Sequence, residues 1–413
     1  MPKIVIVGAG VSGISTCKAL VGKGHDVTVV SSTAFFEWAI AGTYSLTHPE
    51  ELTKAVAGTI ELPKGATLVV GTAVSLGEKE VVLQTGQVLP FDALVVATGL
   101  DLPFFRPKVG QSWAERRQEV TEIGNAVRRA FTVVIGGGGA IGVEFAGDVR
   151  EVNASARIVL VCSRDRALPY LDEKFQAKLK RKLEDLKIEV MPNEKVAEED
   201  YSVTRKTLKL SSGKTIEADC FIPAFTKGFG AKWTGLADRS GKLQVNSYLQ
   251  AESSPAVFAV GCSTRSSFSA MPKIEGETKT VSQNVLRFLE AGALTDHVDA
   301  MPTMLLPITQ KIGTNTYAWV DPSQLPGGPA ACCRGCGFPC FPLFLCWPMV
   351  LCGAGPCHPF FCGYCCGDPE GRGTAAGIKM FLHMPGQTSQ KLGTPPTQQE
   401  MEMGASQGLM RDV

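Results

Sequence analysis

The chain opens on a short apolar run, Lys3-Ile4-Val5-Ile6-Val7, rich in β-branched residues and too brief for a helix. It leads into Gly8-Ala9-Gly10-Val11-Ser12-Gly13, and a helical pattern then continues to about Val21. A second strand is predicted at 27–30, followed by strand-like runs at 68–70, 81–83 and 94–97. Gly77-Glu78 and Thr85-Gly86 punctuate these runs as turns, and Ala97-Thr98-Gly99 closes the block.

The same pattern then repeats. Thr132-Val133-Val134-Ile135 runs into the glycines Gly136 to Gly139, then Ala140-Ile141-Gly142, a helix, and a strand at 158–161. Leu171, Phe175, Leu179, Leu183 and Leu186 share one helical face, and strand-like runs follow at 187–191, 207–210 and 220–223. No third copy follows. A buried-type strand is predicted at 256–261 and a helix from about Glu277 to Glu290, with Val281, Val285 and Leu289 inward.

Both glycine segments read G-x-G-x-x-G between a strand and a helix. Gly8 permits the tight turn, Gly10 lets a diphosphate approach the backbone, and Gly13 allows close helix packing. Gly137, Gly139 and Gly142 repeat the device. Two such loops point to two dinucleotides, hence to hydride transfer from a nicotinamide to a flavin. The first loop is expected to take FAD and the second, inserted between flavin-binding segments, NADH or NADPH.

Composition narrows the field. Hydrophobic residues are 44% and charged residues 20%, which excludes disorder throughout. Lys plus Arg number 41 against 40 Asp plus Glu, for a net charge of +1, so a nucleic-acid partner held by bulk charge is not expected. A strand beginning at Ile4 predicts no signal peptide, and Pro2 excludes N-myristoylation. Only Cys17, Cys162, Cys220 and Cys262 precede a dense cluster between Cys332 and Cys366, so the first 330 or so residues read as a reduced, cytoplasmic-type chain.

In these five blocks, 8–13, 94–99, 133–144, 257–261 and Met271-Pro272-Lys273, the chain resembles the two-dinucleotide flavoprotein oxidoreductases. It is most similar to their ferroptosis-suppressor and apoptosis-inducing-factor-like branch, related to type II NADH:quinone oxidoreductases. The resemblance implies an α/β fold with two tandem Rossmann-like domains, the NAD(P)H domain inserted in the FAD domain, and a smaller C-terminal α+β unit. The expected boundaries are 1–110 and 241–300 for FAD, 111–240 for NAD(P)H and 301–384 for the C-terminal unit. That last unit would carry a Cys-rich apolar insertion at 331–367, and a disordered tail would occupy 385–413. The resemblance further implies that Lys273 lies near the flavin ring, an ordinary surface lysine being the other reading. It sets Glu144 beside the nicotinamide pocket, and Thr98, Gly99 and Val74 along the flavin nucleotide.

Three departures qualify this expectation. Ser31 and Ser32 stand where an acid normally ends the second strand and binds the adenosine ribose. Gly261-Cys262-Ser263 replaces the family's Gly-Asp, and loss of that acceptor predicts FAD binding weaker by ~1–3 kcal/mol. Cys262 itself reads either as a small buried side chain or as a redox thiol. Finally, the strand at 158–161 ends in Cys162-Ser163-Arg164-Asp165-Arg166, where Ser163 with Arg164 or Arg166 suits the 2′-phosphate of NADPH and an exposed basic loop is the alternative.

Residues 34–60 contain no cysteine, so disulfide reduction beside the flavin is not expected, and His25 and His48 read as surface or packing residues. The resemblance implies a quinone-type acceptor, with oxygen as the alternative; a decayed flavin site in a nucleotide-sensing, membrane-tethered protein is the non-enzymatic reading. A quinone requires a membrane surface. The 23 residues 335–357 carry no Asp, Glu, Lys or Arg, but Pro339, Pro342, Pro348 and Pro356 argue against a spanning helix. An interfacial segment anchored by S-acylated cysteines fits this composition, giving peripheral membrane association. Zinc held by Cys333, Cys336, Cys362 and Cys365, a disulfide or redox role, and a mistranslated segment are the other readings.

Overall fold

The computed structural model describes residues 1–171, 173–197, 203, 206–264, 271–298, 303–307 and 316–320. Expectations for the Cys-rich segment, the rest of the C-terminal unit and the tail lie outside the described residues. Along the chain the principal elements are β1 (Lys3–Val7), α1 (Val11–Leu20), β2 (Asp26–Ser31), α2 (Gly42–Thr47), β3 (Ala66–Val70), β4 (Ala93–Val96) and α3 (Trp113–Arg129). There follow β5 (Thr132–Gly136), α4 (Ala140–Val152), β6 (Arg157–Val161), α5 (Glu173–Asp185), β7 (Ile188–Met191), β8 (Cys220–Pro223), β9 (Val257–Ala259) and α6 (Met271–Leu289). The chain divides into two compact units. One is built from Met1–Asn125 and the described part of Phe225–Ala300, the other from Ala126–Ala224 and the strands Thr303–Pro307 and Thr316–Val320.

The first unit centres on a five-stranded parallel sheet in the order β9-β4-β1-β2-β3. Strands β1, β4 and β9 are buried almost throughout, as expected for a parallel sheet covered on both faces, whereas β3, at the edge opposite β9, is partly open. The second unit repeats the plan with four parallel strands, β7-β6-β5-β8. β9 comes late in the chain yet pairs with β4, with Val257 opposite Leu94, so the first sheet is completed only after the chain has passed through Ala126–Ala224 of the second unit.

Two local differences from the sequence pattern have clear causes. Of the three strand-like runs after the first loop, those at 68–70 and 94–97 join the parallel sheet. The third pairs with Ala73–Leu76 and Val88–Pro90 in a small antiparallel sheet. Hydrophobicity marks a strand without naming its partner. The last helix begins at Met271, one and a half turns before the expected start. Pro272 disguises that beginning, because proline lacks only an N–H that the first turn would leave unbonded.

Candidate functional site

The two glycine loops have the same construction. Gly8 donates its N–H to Val30 at 2.8 Å, and Gly137 donates to Val161 at 2.9 Å, so each loop leaves its strand toward the tip of the next one. Gly8 and Gly137 have φ of 116° and 126°, a region L side chains rarely enter. A Cβ on Gly13 would lie 1.8 Å from the Gly8 carbonyl oxygen, and one on Gly142 would lie 1.9 Å from that of Gly137. The turns therefore close only because the third glycine of each motif has no side chain.

The middle glycines behave differently. Among the described residues, a Cβ on Gly10 or Gly139 would meet nothing within 4 Å. Each is the N-cap of the following helix, in extended conformation, with no side-chain cap and no acid in the first turn. An ordinary helix start satisfies its free N–H groups with Ser, Thr, Asp or Asn. Here Ala9, Val11 and Ser12, and likewise Ala140 and Ile141, flank starts that no side chain caps, with no described residue over the N-cap glycine. That is the donor set a diphosphate needs, so the residues present fit a dinucleotide in each unit.

Within the first unit, the structure gathers the remaining candidates around the first loop. A Cβ on Gly261 would come within 2.5 Å of Ser12 Oγ, and one on Gly8 within 2.4 Å of the Ala97 carbonyl oxygen. The Gly99 N–H donates to the Ser263 hydroxyl at 3.0 Å, and the Thr98 and Ser263 hydroxyls lie 3.3 Å apart. The segments 8–13, 97–99 and 261–263 thus form one cluster. Ser31 is buried at the tip of β2, where its hydroxyl accepts the Thr33 N–H at 3.4 Å. Val74 stands apart, 46% exposed on the small antiparallel sheet.

Lys273 is not a surface lysine. Its side chain is 9% exposed, and its ammonium lies 3.0 Å from Glu277, one turn further along α6. Glu277 is in turn bonded to the Gly261 N–H at 2.6 Å. Cys262 is half-buried, and the charge of nearby Arg106 interacts with it. Burial holds the Arg106 guanidinium below its ordinary value, while Cys262 and Glu37 pull the other way. Arg106 also donates to the Ala39 carbonyl. Cys17, Cys162 and Cys220 are buried, and burial pushes their thiols up to about 11, 11 and 12, which makes them inert at neutral pH.

In the second unit, Cys162 packs beneath the glycine loop, its sulfur 2.3 Å from where a Gly138 Cβ would lie. Ser163 and Arg164 are exposed at the tip of β6. Arg166 is engaged by Asp165 at 2.9 Å and Glu173 at 3.0 Å, whereas Arg164 has no carboxylate in contact among the described residues. Glu144, on the first turns of α4, lies near Tyr170, whose phenol is pushed up to about 12 by burial and by the Glu144 charge.

Glu277, Arg106 and the buried pair Glu37–Arg116 were not legible as site residues. The one available signal was Lys273 and Glu277 at i,i+4, which becomes visible only once the helix is extended through Pro272. His48 packs flat on Tyr44 with ring centroids 4.3 Å apart, and its Nδ1 is 3.0 Å from the Thr47 hydroxyl.

Comparison with known proteins agrees with this construction. Apoptosis-inducing factor homolog B of Dictyostelium discoideum is 25% identical over 286 residues, covering 63% of this chain and 74% of that protein. Type II NADH:quinone oxidoreductase NdhA of Mycobacterium tuberculosis is 23% identical over 309 residues, covering 63% and 65%. The sulfide:quinone oxidoreductase of Aquifex aeolicus has the same fold, with a TM-score of 0.61 at 15% identity over 78% of this chain and 87% of that one. The sequence profile of the pyridine nucleotide-disulphide oxidoreductases matches residues 2–278, and the chain belongs to that family, as a two-dinucleotide flavoprotein oxidoreductase that uses FAD and NAD(P)H.

Proposed function

We propose that the first unit holds FAD on Gly8–Gly13, Thr98-Gly99 and the Gly261-Cys262-Ser263 turn, with Lys273 near its ring. The second unit holds NAD(P)H on Gly137–Gly142, with Glu144 beside the nicotinamide and Ser163 and Arg164 toward the adenosine ribose. In this reading the FAD domain spans 1–110 and 241–300, interrupted by the NAD(P)H domain at 111–240. The carrying observation is the pair of uncapped helix starts at Gly10 and Gly139, each facing space that a side chain would otherwise fill.

A bound FAD would supply two-electron hydride chemistry between NAD(P)H and a second acceptor. The chain's own groups bind and orient. Free N–H groups of α1 and α4 take the diphosphates, and Lys273 sets a cation beside the ring. The reading assigns a quinone-type acceptor met at a membrane surface from the cytoplasmic side. The likeness to type II NADH:quinone oxidoreductase NdhA supports it, as does the absence of cysteine from 34–60, where a disulfide partner would be needed. Among the described residues no helix is long and apolar enough to cross a membrane; in this reading the quinone is met by peripheral association.

Anaerobic titration tests this directly. NADH or NADPH should bleach the flavin absorbance of the purified protein, and a soluble quinone should restore it under nitrogen. A colourless protein that FAD cannot reconstitute would overturn the enzymatic reading. Reoxidation by air that quinone does not accelerate would assign oxygen as the acceptor instead.

A further inference from the structure

We infer that Glu277 is a positioning residue of the flavin site, presenting the cofactor with a compensated ion pair in place of a lone lysine cation. The inference rests on the first unit being the FAD unit. Glu277 is 1% exposed, and both its oxygens are engaged. Oε2 accepts the Gly261 N–H at 2.6 Å, while Oε1 meets the Lys273 ammonium at 3.0 Å and the Thr264 hydroxyl at 3.3 Å. A buried carboxylate is tolerated only when its lone pairs are met in this way.

The placement matters because of what stands beside it. Position 262 carries a thiol and no acid, so the carboxylate serving this turn comes from α6, 16 residues away from Gly261. Gly261 is held from both sides, with its N–H on Glu277 and its bare Cα against Ser12 of the diphosphate loop. One side chain therefore sets both the backbone that cradles the cofactor and the position of Lys273. A lone buried cation stabilises reduced, anionic flavin and raises its midpoint potential; a cation paired at 3.0 Å does so far less.

The test is the midpoint potential of the FAD-bound protein, read by dye equilibration in wild type, Glu277→Gln and Lys273→Met. Glu277→Gln should move it positive and Lys273→Met negative. Each shift should be about tenfold in the ratio of reduced to oxidised flavin at fixed dye potential, about 30 mV for a two-electron couple. The double variant should return near wild type. Shifts of the same sign, or no shift with flavin bound, would overturn the inference, because a purely structural clamp alters FAD retention and leaves the potential in place. If Glu277→Gln does not retain FAD, Lys273→Met decides alone, and a potential that stays put or rises there overturns the inference. Wild-type protein unable to bind FAD would instead sink the underlying assignment, before any variant is made.

Discussion

Arg116 meets Glu37 through two parallel N–H···O bonds of 2.8 Å, with the two side chains 0% and 3% exposed. Burial would lower the Arg116 guanidinium, yet Glu37 and Glu119 together hold it above its ordinary value. The pair joins α3 to the short strand Phe35–Glu37. Replacing Arg116 by Leu leaves two carboxylates without their buried counter-charge and should cost about 3–5 kcal/mol of stability. Urea unfolding measures it, and a loss under about 1 kcal/mol would show that solvent reaches the pair.

Glu119 makes the same network sensitive to acid. Burial raises its carboxyl, but hydrogen bonds from Lys108 and Gln111 and the Arg116 charge outweigh this and hold it below 4.5. A depressed folded value means its stabilisation is complete above pH 4.5 and fades as pH falls through that folded value. Unfolding midpoints should therefore drop more steeply below pH 4.5 in wild type than in Glu119→Gln. Parallel profiles would remove Glu119 from the acid response.

The two kinds of glycine in the second loop should fail in different ways. Gly142→Ala forces a methyl to within 1.9 Å of the Gly137 carbonyl oxygen and should cost about 1–3 kcal/mol or more in stability. Gly139→Ala meets no atom of the described residues within 4 Å, so thermal stability should hold while KM for NAD(P)H rises by about tenfold or more, with the flavin spectrum unchanged. Unaltered kinetics in Gly139→Ala would show that the diphosphate does not approach there.

Coenzyme choice should turn on Arg164, because Arg166 is already engaged by Asp165 and Glu173. Arg164→Ala should lower kcat/KM for NADPH by roughly 10–150-fold, the range of a charge-assisted hydrogen bond, and leave NADH nearly unaffected. Equal losses with both coenzymes would point to a general structural role.

Restoring an acid at position 262 should strengthen FAD binding. Cys262→Asp places a carboxylate where the Arg106 guanidinium supplies a counter-charge. The FAD dissociation constant, followed by the quenching of free-flavin fluorescence, should fall by roughly 5–150-fold. Weaker binding would mean that the turn has readjusted around the thiol.

Much of the fold could be read from local pattern, since strand, glycine turn and helix are each specified by neighbours in sequence. Gly8–Gly13 and Gly137–Gly142 were legible for that reason. Glu37 and Arg116 were not, because their meeting depends on two segments 79 positions apart being folded together. Lys273 was legible only as a residue type. Its burial and its bond to Glu277 depend on a helical turn that Pro272 conceals. The hydrogen-bonding role of Ser263 was hidden for the same reason as that of Glu37, since its partners Thr98 and Gly99 lie more than 160 residues away.

β9 pairs with β4 across an insertion of some 160 residues, and this has a consequence during synthesis. At about 5–20 residues per second, the ribosome takes roughly 10–30 s between making these two partners. During that interval the nascent first sheet has an unfinished border at β4, whose apolar backbone is open to pairing with a neighbouring chain. Premature termination anywhere between Asn125 and Val257 would therefore release a fragment prone to aggregate, even though its first glycine loop is intact.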